Sequence, residues 1–313
     1  MKTADETTRH VNSFLIPTIT LVVLLTLGSA QFLGQATNEK SDWKPVEDAM
    51  GRSGKLQPGD VFKFGMPRKD LQVTVNGVQV KPGLALGSWA AFKKMGEEAM
   101  VMGDLVLTTD EVEPVMLKLQ QEGIEQTALH NHLLGESPRV MYMHIAGRGD
   151  AVKLARALHD ALALTKTPAE GNPPSSPPKL DIDTAGIDEA LGRKGKNDNG
   201  IYKIEVPRSE KITDSDMEVP PSMGVATAIN FQPTGGGKAA ITGDFVLIAS
   251  EVNPVIRALR ENGIAVNAVH NHMLNENPRL FFIHYWANAD AVKLAHGIRA
   301  ALDKTNSAKA TGQ

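Results

Sequence analysis

The stretch TALHNHLLGESPRVMYMHI, residues 127–145, returns in altered form as NAVHNHMLNENPRLFFIHY at residues 267–285. Each copy has two histidines one residue apart, a Glu-x-Pro-Arg turn and an apolar segment that contains a third histidine. The six histidines are His130, His132, His144, His270, His272 and His284. The chain has nine histidines in all, so this concentration in two copies of one pattern predicts a shared structural or chemical role.

The spacing of 140 residues between the copies extends beyond the histidines. It also relates the Gly-Asp dipeptide at 103–104 to that at 243–244, and the segment DAVKLA at residue 150 to its relative at residue 290. Two tandem copies of one domain explain this pattern. We predict a first repeat over residues 42–166 and a second over 181–304, related by pseudo-two-fold symmetry.

The segments outside the repeats differ in composition. Residues 167–180 are rich in proline and small polar residues, which is typical of a semi-rigid linker. Residues 305–313 are predicted to form a disordered tail.

Hydrophobic periodicity predicts the elements of each repeat. In the first repeat we expect a strand over 103–109, a helix over 110–123, strands over 124–133 and 139–147, and then a helix with Asp150 as its N-cap. Each repeat should therefore be an antiparallel sheet backed by helices, in the α+β class.

The two strands around the turn are expected to form a hairpin. Closure near Ser137 would pair residues whose numbers sum to 274, with His144 opposite His130 and Tyr142 opposite His132. Because side chains alternate along a strand, the three histidines would share one face. Opposed residues have Cβ atoms about 5 Å apart, so the three imidazoles should converge.

Three converging histidines with an open fourth position are a known arrangement for catalytic zinc, and imidazole also binds copper and iron. We therefore predict a divalent transition metal in each repeat, with these six histidines as ligands and the choice among zinc, copper and iron left open. A polar site without metal is one alternative. Structural histidines inherited through the duplication are another.

Other side chains near the histidines are candidates for function. Glu136 and Glu276 lie in the turns and are predicted to act as catalytic bases on metal-bound water, with a ligand or a solvated turn residue as alternatives. The candidate substrate-binding residues are Arg139, Arg279, Tyr142 and Trp89. Core packing is the alternative for Trp89, and a simple surface position is the alternative for the arginines.

Residues 1–36 have the features of a secretory signal peptide. Lys2 and Arg9 precede an apolar run that is interrupted by a proline, and cleavage is expected after Ala30 or Ala36. The run is shorter than the roughly 20 residues that a membrane span needs. We expect a periplasmic or secreted protein without a stable membrane anchor after cleavage.

Composition excludes several classes of function. The net charge of −3 and the pI near 6.3 argue against a nucleic-acid partner, which usually requires a basic face. The absence of cysteine excludes disulfides, thiolate metal ligands and cysteine nucleophiles. A small molecule or a component of the cell envelope is the expected substrate or ligand.

Five segments resemble the LppY/LpqO lipoprotein family, an exported domain of unknown function: FGMPRKDLQV, LALGSWAAF, GDLVLTTDEVEPVM, ALHNHLLGESPRVMYMHI and GDAVKLA. The resemblance covers nearly the whole chain after the predicted signal peptide, since the domain occurs twice. It implies export and duplication but no activity. Without cysteine, this chain cannot carry the lipid anchor of the lipoprotein members.

The sequence thus predicts an exported metal-binding protein with a three-histidine centre in each repeat. A metal-dependent hydrolase and a metal-dependent oxidoreductase are both compatible with these ligands. The alternative is a non-catalytic module that binds an envelope ligand or stores metal. An open site beside a deep cleft would favour the enzyme, and a closed site would favour the module.

Overall fold

The computed structural model describes residues 42–169, 176–215 and 217–309. The predicted signal peptide lies outside these residues. None of the helices in the described part of the chain is long and apolar enough to cross a membrane.

The described elements follow the same order in both repeats. The first repeat contains α1 (Lys44–Met50), β1 (Lys55–Gln57), β2 (Val61–Pro67), β3 (Thr74–Val75), β4 (Val78–Gln79), α2 (Pro82–Ala85), β5 (Gly87–Met95), β6 (Glu98–Thr108), α3 (Val112–Gln121), β7 (Glu125–His130), β8 (Glu136–Ser137), β9 (Val140–Gly149) and α4 (Ala151–Leu162). The second contains α5 (Thr184–Leu191), β10 (Lys196–Asp198), β11 (Ile201–Pro207), β12 (Thr213–Asp214), β13 (Met217–Glu218), a 3₁₀ turn (Pro221–Met223), β14 (Ala226–Gly235), β15 (Lys238–Leu247), α6 (Ala249–Glu261), β16 (Ala265–His270), β17 (Glu276–Asn277), β18 (Phe281–Asp290) and α7 (Ala291–Leu302).

Each repeat is built on a six-stranded antiparallel sheet. The strand order is β1-β2-β5-β6-β9-β7 in the first repeat and β10-β11-β14-β15-β18-β16 in the second. A small three-stranded sheet accompanies each large one, in the orders β4-β3-β8 and β13-β12-β17. The predicted α+β class, with two tandem antiparallel sheets backed by helices, is confirmed.

One face of each large sheet packs against the helices of its own repeat. On β6, the alternating residues Val101, Leu105 and Leu107 join the core formed with α1, α3 and α4. The predicted N-cap of α4 is confirmed, because the Asp150 side chain accepts a hydrogen bond from the backbone N–H of Lys153 at 2.8 Å.

The other faces of the two large sheets pack against each other. Val106 of the first repeat shares an apolar cluster with Trp286 of the second. Met102 shares another with Val246 and Phe282. The layers therefore run helices, sheet, sheet, helices, and the middle contact joins the two repeats.

Reciprocal hydrogen bonds relate the repeats by pseudo-two-fold symmetry. The Thr127 hydroxyl donates to the backbone oxygen of His272 at 2.6 Å. The Asn267 amide donates to the backbone oxygen of His132 at 2.9 Å. Since residues 127 and 132 correspond to 267 and 272, each repeat gives the other the same contact, as a two-fold interface requires.

The strand pairing around the turn differs from the predicted register. His130 pairs with Tyr142 and Ala128 with His144, so paired numbers sum to 272 and not to 274. The cause is β8, which leaves the large sheet and pairs with β3, so the connection is a long loop and not a tight turn. A shift of two residues leaves every side chain on its predicted face. The second repeat has the same arrangement.

Residues 305–309 of the predicted tail are among the described residues and form hydrogen bonds with the second repeat. The backbone N–H of Asn306 donates to the Glu251 carboxylate at 2.8 Å, and that of Ala308 donates to the Pro207 carbonyl at 2.9 Å. One acceptor lies in the first turn of α6 and the other at the end of β11, so the segment after α7 is bound to both elements. Residues 310–313 of the predicted tail and 170–175 of the predicted linker lie outside the described residues.

A buried arginine ties the start of α3 to the large sheet. Arg68 is 0% exposed. It donates two hydrogen bonds to Glu111, at 2.6 and 3.1 Å, one to the Val106 carbonyl at 2.8 Å, and others to Asp70. The second repeat repeats the network with Arg208, Glu251, Val246 and Glu210. A buried guanidinium persists only with such complete pairing.

We expect Arg68→Ala to lower the free energy of unfolding by about 3–5 kcal/mol, because it leaves the Glu111 carboxylate buried without its partner. Urea denaturation followed by circular dichroism measures this. The matched control is Arg148→Ala, which breaks an exposed ion pair with Glu98 and should cost at most about 1 kcal/mol. Equal effects of the two substitutions would contradict the structural role of Arg68.

Candidate metal centre

Each large sheet presents an acidic residue and a histidine side by side to the other repeat. Asp104 on β6 lies directly opposite His144 on β9. Asp244 on β15 lies directly opposite His284 on β18. Their positions in the strand alternation are those of the side chains between the two sheets. The four groups therefore project into the interface between the repeats.

The His-x-His pairs lie on the outermost strands of the two sheets. His130 and His270 are the last residues of β7 and β16, and His132 and His272 come two residues later. β7 and β16 lie beside each other across the interface. The pairs from the two repeats are therefore brought together at the edge of the interface.

The six histidines form one group, which we call the histidine cluster. Three ring contacts across the interface, each with centroids 3.8 Å apart, join His130 to His270, His132 to His284, and His144 to His272. The prediction of a separate three-histidine centre in each repeat is thus corrected. The histidine face of each sheet does not face solvent; it packs on the matching face of the other repeat.

Four sets of three side chains in the described residues bring their ligand atoms within 4.8 Å of one another. The sets are His130–His144–His270, His130–His132–His284, Asp104–His132–His144 and Asp244–His270–His284. The two all-histidine sets combine both repeats, whereas each set with an aspartate stays within one repeat. These sets can hold a metal ion.

Several polar atoms of the cluster are buried without a hydrogen-bond partner. In the described part of the chain these atoms include Asp104 Oδ1, Asp244 Oδ1, His130 Nδ1, His132 Nε2, His144 Nε2 and His270 Nδ1. A buried polar atom without a partner costs about 1–3 kcal/mol. A bound cation could satisfy these atoms together.

Burial determines the charge state of the cluster. His144 and His284 are each 3% exposed. Burial lowers the pKa of all six histidines, and it lowers that of His272 to about 3. The imidazoles are therefore neutral at neutral pH, which is the form that binds metals.

The two aspartates respond to burial in the opposite sense. Burial, followed by repulsion from Asp244, raises the pKa of Asp104 well above its ordinary value. Burial raises the pKa of Asp244 to about 6. A nearby cation would favour the ionised form of both carboxyl groups.

A backbone carbonyl fixes the orientation of the His284 ring. His284 Nδ1 donates to the Gly243 oxygen at 2.9 Å, so the proton lies on Nδ1 and Nε2 keeps its lone pair. That Nε2 atom lies 3.1 Å from Nε2 of His130. Glycine is needed at 243, because a Cβ there would lie 1.9 Å from the Ala228 oxygen.

The turn glutamates lie outside the ligand sets. Glu136 is half-buried and accepts a hydrogen bond from the Asn131 amide at 3.1 Å. Glu276 is buried and accepts from the Leu280 backbone N–H at 3.0 Å and from Arg279 at 3.2 Å. Both carboxylates hold the loops that follow the His-x-His pairs.

The arginines after the turns are exposed. Arg279 donates to the backbone oxygens of Met273 and Leu274, at 3.3 and 3.2 Å. It therefore braces its own loop. Arg139 lies on the surface of the corresponding loop in the first repeat.

Tyr142 reaches the histidine cluster, whereas Trp89 packs between the repeats. The Tyr142 ring stacks on His132 with centroids 3.4 Å apart. Trp89 lies under the Lys63 ammonium, 4.2 Å from the ring centroid, and contacts Gly224 of the second repeat. Core packing, the alternative considered for Trp89, describes its surroundings.

Asp104 and Asp244 are site residues that the sequence reasoning missed. The available signal was an acidic residue at an inward position of an otherwise apolar strand, present in both copies at the spacing of 140. An unpaired carboxylate at such a position is costly. The recurrence of the aspartate in both copies therefore indicated a polar side chain on a neighbouring strand that interacts with it.

The family of the chain follows from its two repeats. The family model described as Domain of Unknown Function (DUF1259) matches residues 44–164 and again residues 185–304. The chain belongs to this family. The two DUF1259 domains each supply three histidines to the histidine cluster, and each supplies one aspartate to a ligand set; His272 belongs to none of the four sets. No curated protein matches the chain.

Two solved structures show a distant likeness. One is the trimeric bacterial microcompartment shell protein PduB, with 11% identity, a TM-score of 0.18, and coverage of 79% of this chain and 87% of that one. The other is EtuB from Clostridium kluyveri, with 11% identity, a TM-score of 0.19, and coverage of 80% and 90%. At these TM-scores the likeness carries no structural or functional argument.

The metal-free protein should lose stability as the pH falls from about 6.5 to 5. The histidines bind protons less readily in the folded than in the unfolded protein, so acid favours unfolding. The two aspartates have raised pKa values in the folded protein, so their protonation favours the folded state and partly offsets this effect. On unfolding, the six histidines take up about one proton each and the two aspartates release about one each, so the net uptake is about four protons. The free energy of unfolding should therefore fall by on the order of 5 kcal/mol per pH unit.

Denaturant unfolding at a series of pH values measures this slope. His144→Gln should reduce it by about one proton, whereas His296→Gln, at an exposed position on α7, should leave it unchanged. A free energy of unfolding that stays constant between pH 6.5 and 5 would show that the histidines are not held neutral.

Proposed function

We propose that this protein is an exported metal-binding protein whose metal lies in the histidine cluster between its two DUF1259 domains. The observation that carries the proposal is that four sets of histidine and aspartate side chains bring ligand atoms within 4.8 Å of one another, and that members of these sets bury polar atoms without hydrogen-bond partners. A structural role for the histidines would leave these atoms unsatisfied, which is costly.

The distances between ring nitrogens suit metal ligands. Nitrogen ligands lie about 2.0–2.1 Å from zinc, so two of them at a tetrahedral angle are about 3.3 Å apart. The Nε2 atoms of His130 and His284, which share a ligand set, are 3.1 Å apart. Imidazole with carboxylate suits zinc, copper and iron alike, so the proposed cofactor is a divalent transition metal of this group.

Export and the finer family relationship are also part of the proposal. They rest on the signal-peptide features of residues 1–36 and on the resemblance to the LppY/LpqO lipoprotein family. We place the protein in the periplasm or outside the cell, without a stable membrane anchor after cleavage. Its ligand would be a small molecule or a component of the envelope.

A metal-dependent enzyme is the second candidate, of the hydrolase or oxidoreductase type. It is favoured by the partial exposure of His130, His132 and His270, in contrast to the burial of the other three histidines. A substrate would have to approach a bound metal from this partly exposed edge of the cluster. When bound, the metal would supply a Lewis acid or an activated water.

Glu136 is the better base candidate of the two turn glutamates. Its carboxylate is half-buried and close enough to Tyr142 to raise the pKa of that phenol, after burial and Asp104. The Tyr142 ring in turn stacks on His132. Glu276 is enclosed by Arg279 and the loop backbone, so a water molecule has less access to it.

Removal of metal should destabilise the folded protein. A ligand that binds only the folded state at 100 times its Kd stabilises it by about 2.7 kcal/mol. We therefore expect a chelator to lower the Tm by several degrees and the correct metal to restore it. Differential scanning calorimetry on protein purified without an affinity tag measures the shift.

Variants assign this shift to the histidine cluster. His130→Ala with His270→Ala should strongly reduce the response to chelator and metal, because these residues occur in three of the four ligand sets and only the Asp104–His132–His144 set stays intact. His296→Ala should keep the full response. A wild-type Tm that is indifferent to both chelator and metal would overturn the proposed function.

The hydrolase candidate predicts a specific role for Glu136. Glu136→Gln should keep the bound metal and lower turnover by about 10²–10⁴-fold on a panel of ester, phosphoester and glycoside substrates. Elemental analysis and initial rates measure the two effects. Glu276→Gln is the matched control, and it should retain turnover per folded molecule. Loss of metal in Glu136→Gln would instead show that this carboxylate is a ligand.

A further inference from the structure

We infer that the histidine cluster holds two metal ions in adjacent positions, one at Asp104, His132 and His144 and the other at Asp244, His270 and His284. This inference rests on the proposed metal-binding function and adds the number and arrangement of the ions.

The ligand sets permit two ions at the same time. Of the four sets found in the described residues, only the two that contain an aspartate have no member in common. Each set lies within one repeat, and each provides one carboxylate and two imidazoles. An open coordination position remains on each ion for water or a substrate atom.

The atoms without hydrogen-bond partners divide between the same two sets. In the first set, all three residues have such an atom: Asp104 Oδ1, His132 Nε2 and His144 Nε2. In the second set, Asp244 Oδ1 and His270 Nδ1 are buried without a hydrogen-bond partner. His284 keeps a lone pair on Nε2, since its Nδ1 donates to the Gly243 oxygen, and this Nε2 contacts Nε2 of His130 at 3.1 Å. Each set therefore contains buried polar atoms that a cation of its own would satisfy.

Charge favours two ions over one. Asp104 is buried, the Asp244 side chain is only 14% exposed, and the two carboxyl groups are close enough to repel each other. One divalent ion in either set would leave the other carboxyl group either protonated or ionised in a poorly solvated position without a direct counter-charge. Two ions give each carboxylate its own cation.

His130 places the two ions next to each other. It belongs to one all-histidine set with His144 and His270, and to another with His132 and His284. Each of these sets takes one histidine from each ion position. The ring of His130 therefore lies between the two positions, and the ions would be near neighbours, as in two-metal hydrolytic sites with ions about 3.5–4 Å apart.

The test counts ions and measures their separation. Full-length protein, purified without a tag and stripped with chelator, is loaded with Zn²⁺ and analysed for metal per chain after dialysis. A second sample is loaded with Cu²⁺ for electron paramagnetic resonance, in which adjacent ions give a coupled spectrum and isolated ions do not. We expect two ions per chain and a coupled spectrum.

Matched variants remove one position at a time. Asp104→Asn with His144→Gln should leave one ion per chain, and so should Asp244→Asn with His284→Gln; both should show an uncoupled copper spectrum. His296→Gln should keep two coupled ions. Circular dichroism verifies folding, and the single substitutions Asp104→Asn and Asp244→Asn replace any double variant that does not fold.

The outcomes separate this inference from the proposed function. One ion per chain in the wild type, lost in either variant, would overturn the two-ion centre and keep the metal-binding function. Two ions with an uncoupled spectrum in the wild type would show that the positions are not adjacent, which also overturns it. A wild type that binds no ion would overturn the proposed function itself.

Discussion

The contact between the two large sheets excludes water from a set of polar side chains, and the character of the site follows from that exclusion. Apolar clusters flank the histidines within the contact. The dry surroundings keep the imidazoles neutral and disfavour the ionised carboxylates. In each repeat a buried arginine, Arg68 or Arg208, joins the sheet to the start of a helix through an ion pair with Glu111 or Glu251. The rigid sheets can then hold ligand atoms at fixed distances.

The two halves of the cluster correspond but are not identical. Nε2 of His272 lies 2.9 Å from the Asp244 carboxylate, whereas Nε2 of His132 lies 3.6 Å from that of Asp104. The ring that stacks on His132 is that of Tyr142, which carries a hydroxyl, whereas the ring that stacks on His272 is that of Phe282. A polar group next to only one half gives the two halves different chemistry.

Much of the fold could be read from the sequence because it depends on local periodicity. Alternation predicted the strands, a spacing of 140 residues predicted the duplication, and Asp150 marked the start of a helix. The exact pairing of His130 depended on β8 joining a separate small sheet, which a hairpin rule does not include. The union of the six histidines depended on how two distant sheets pack, and no local pattern contains that information. Asp104 was visible in the sequence, but its importance appears only with its neighbours in place.

The reciprocal contact between the repeats has a consequence for how such a site could arise. The all-histidine sets require both copies of the domain, so a molecule with one copy would need a second molecule to complete them. Such an assembly would fall apart on dilution. Joining the copies in one chain replaces that encounter by a high effective concentration. It also frees each copy to change independently, and the pair Tyr142 and Phe282 shows that the copies have done so.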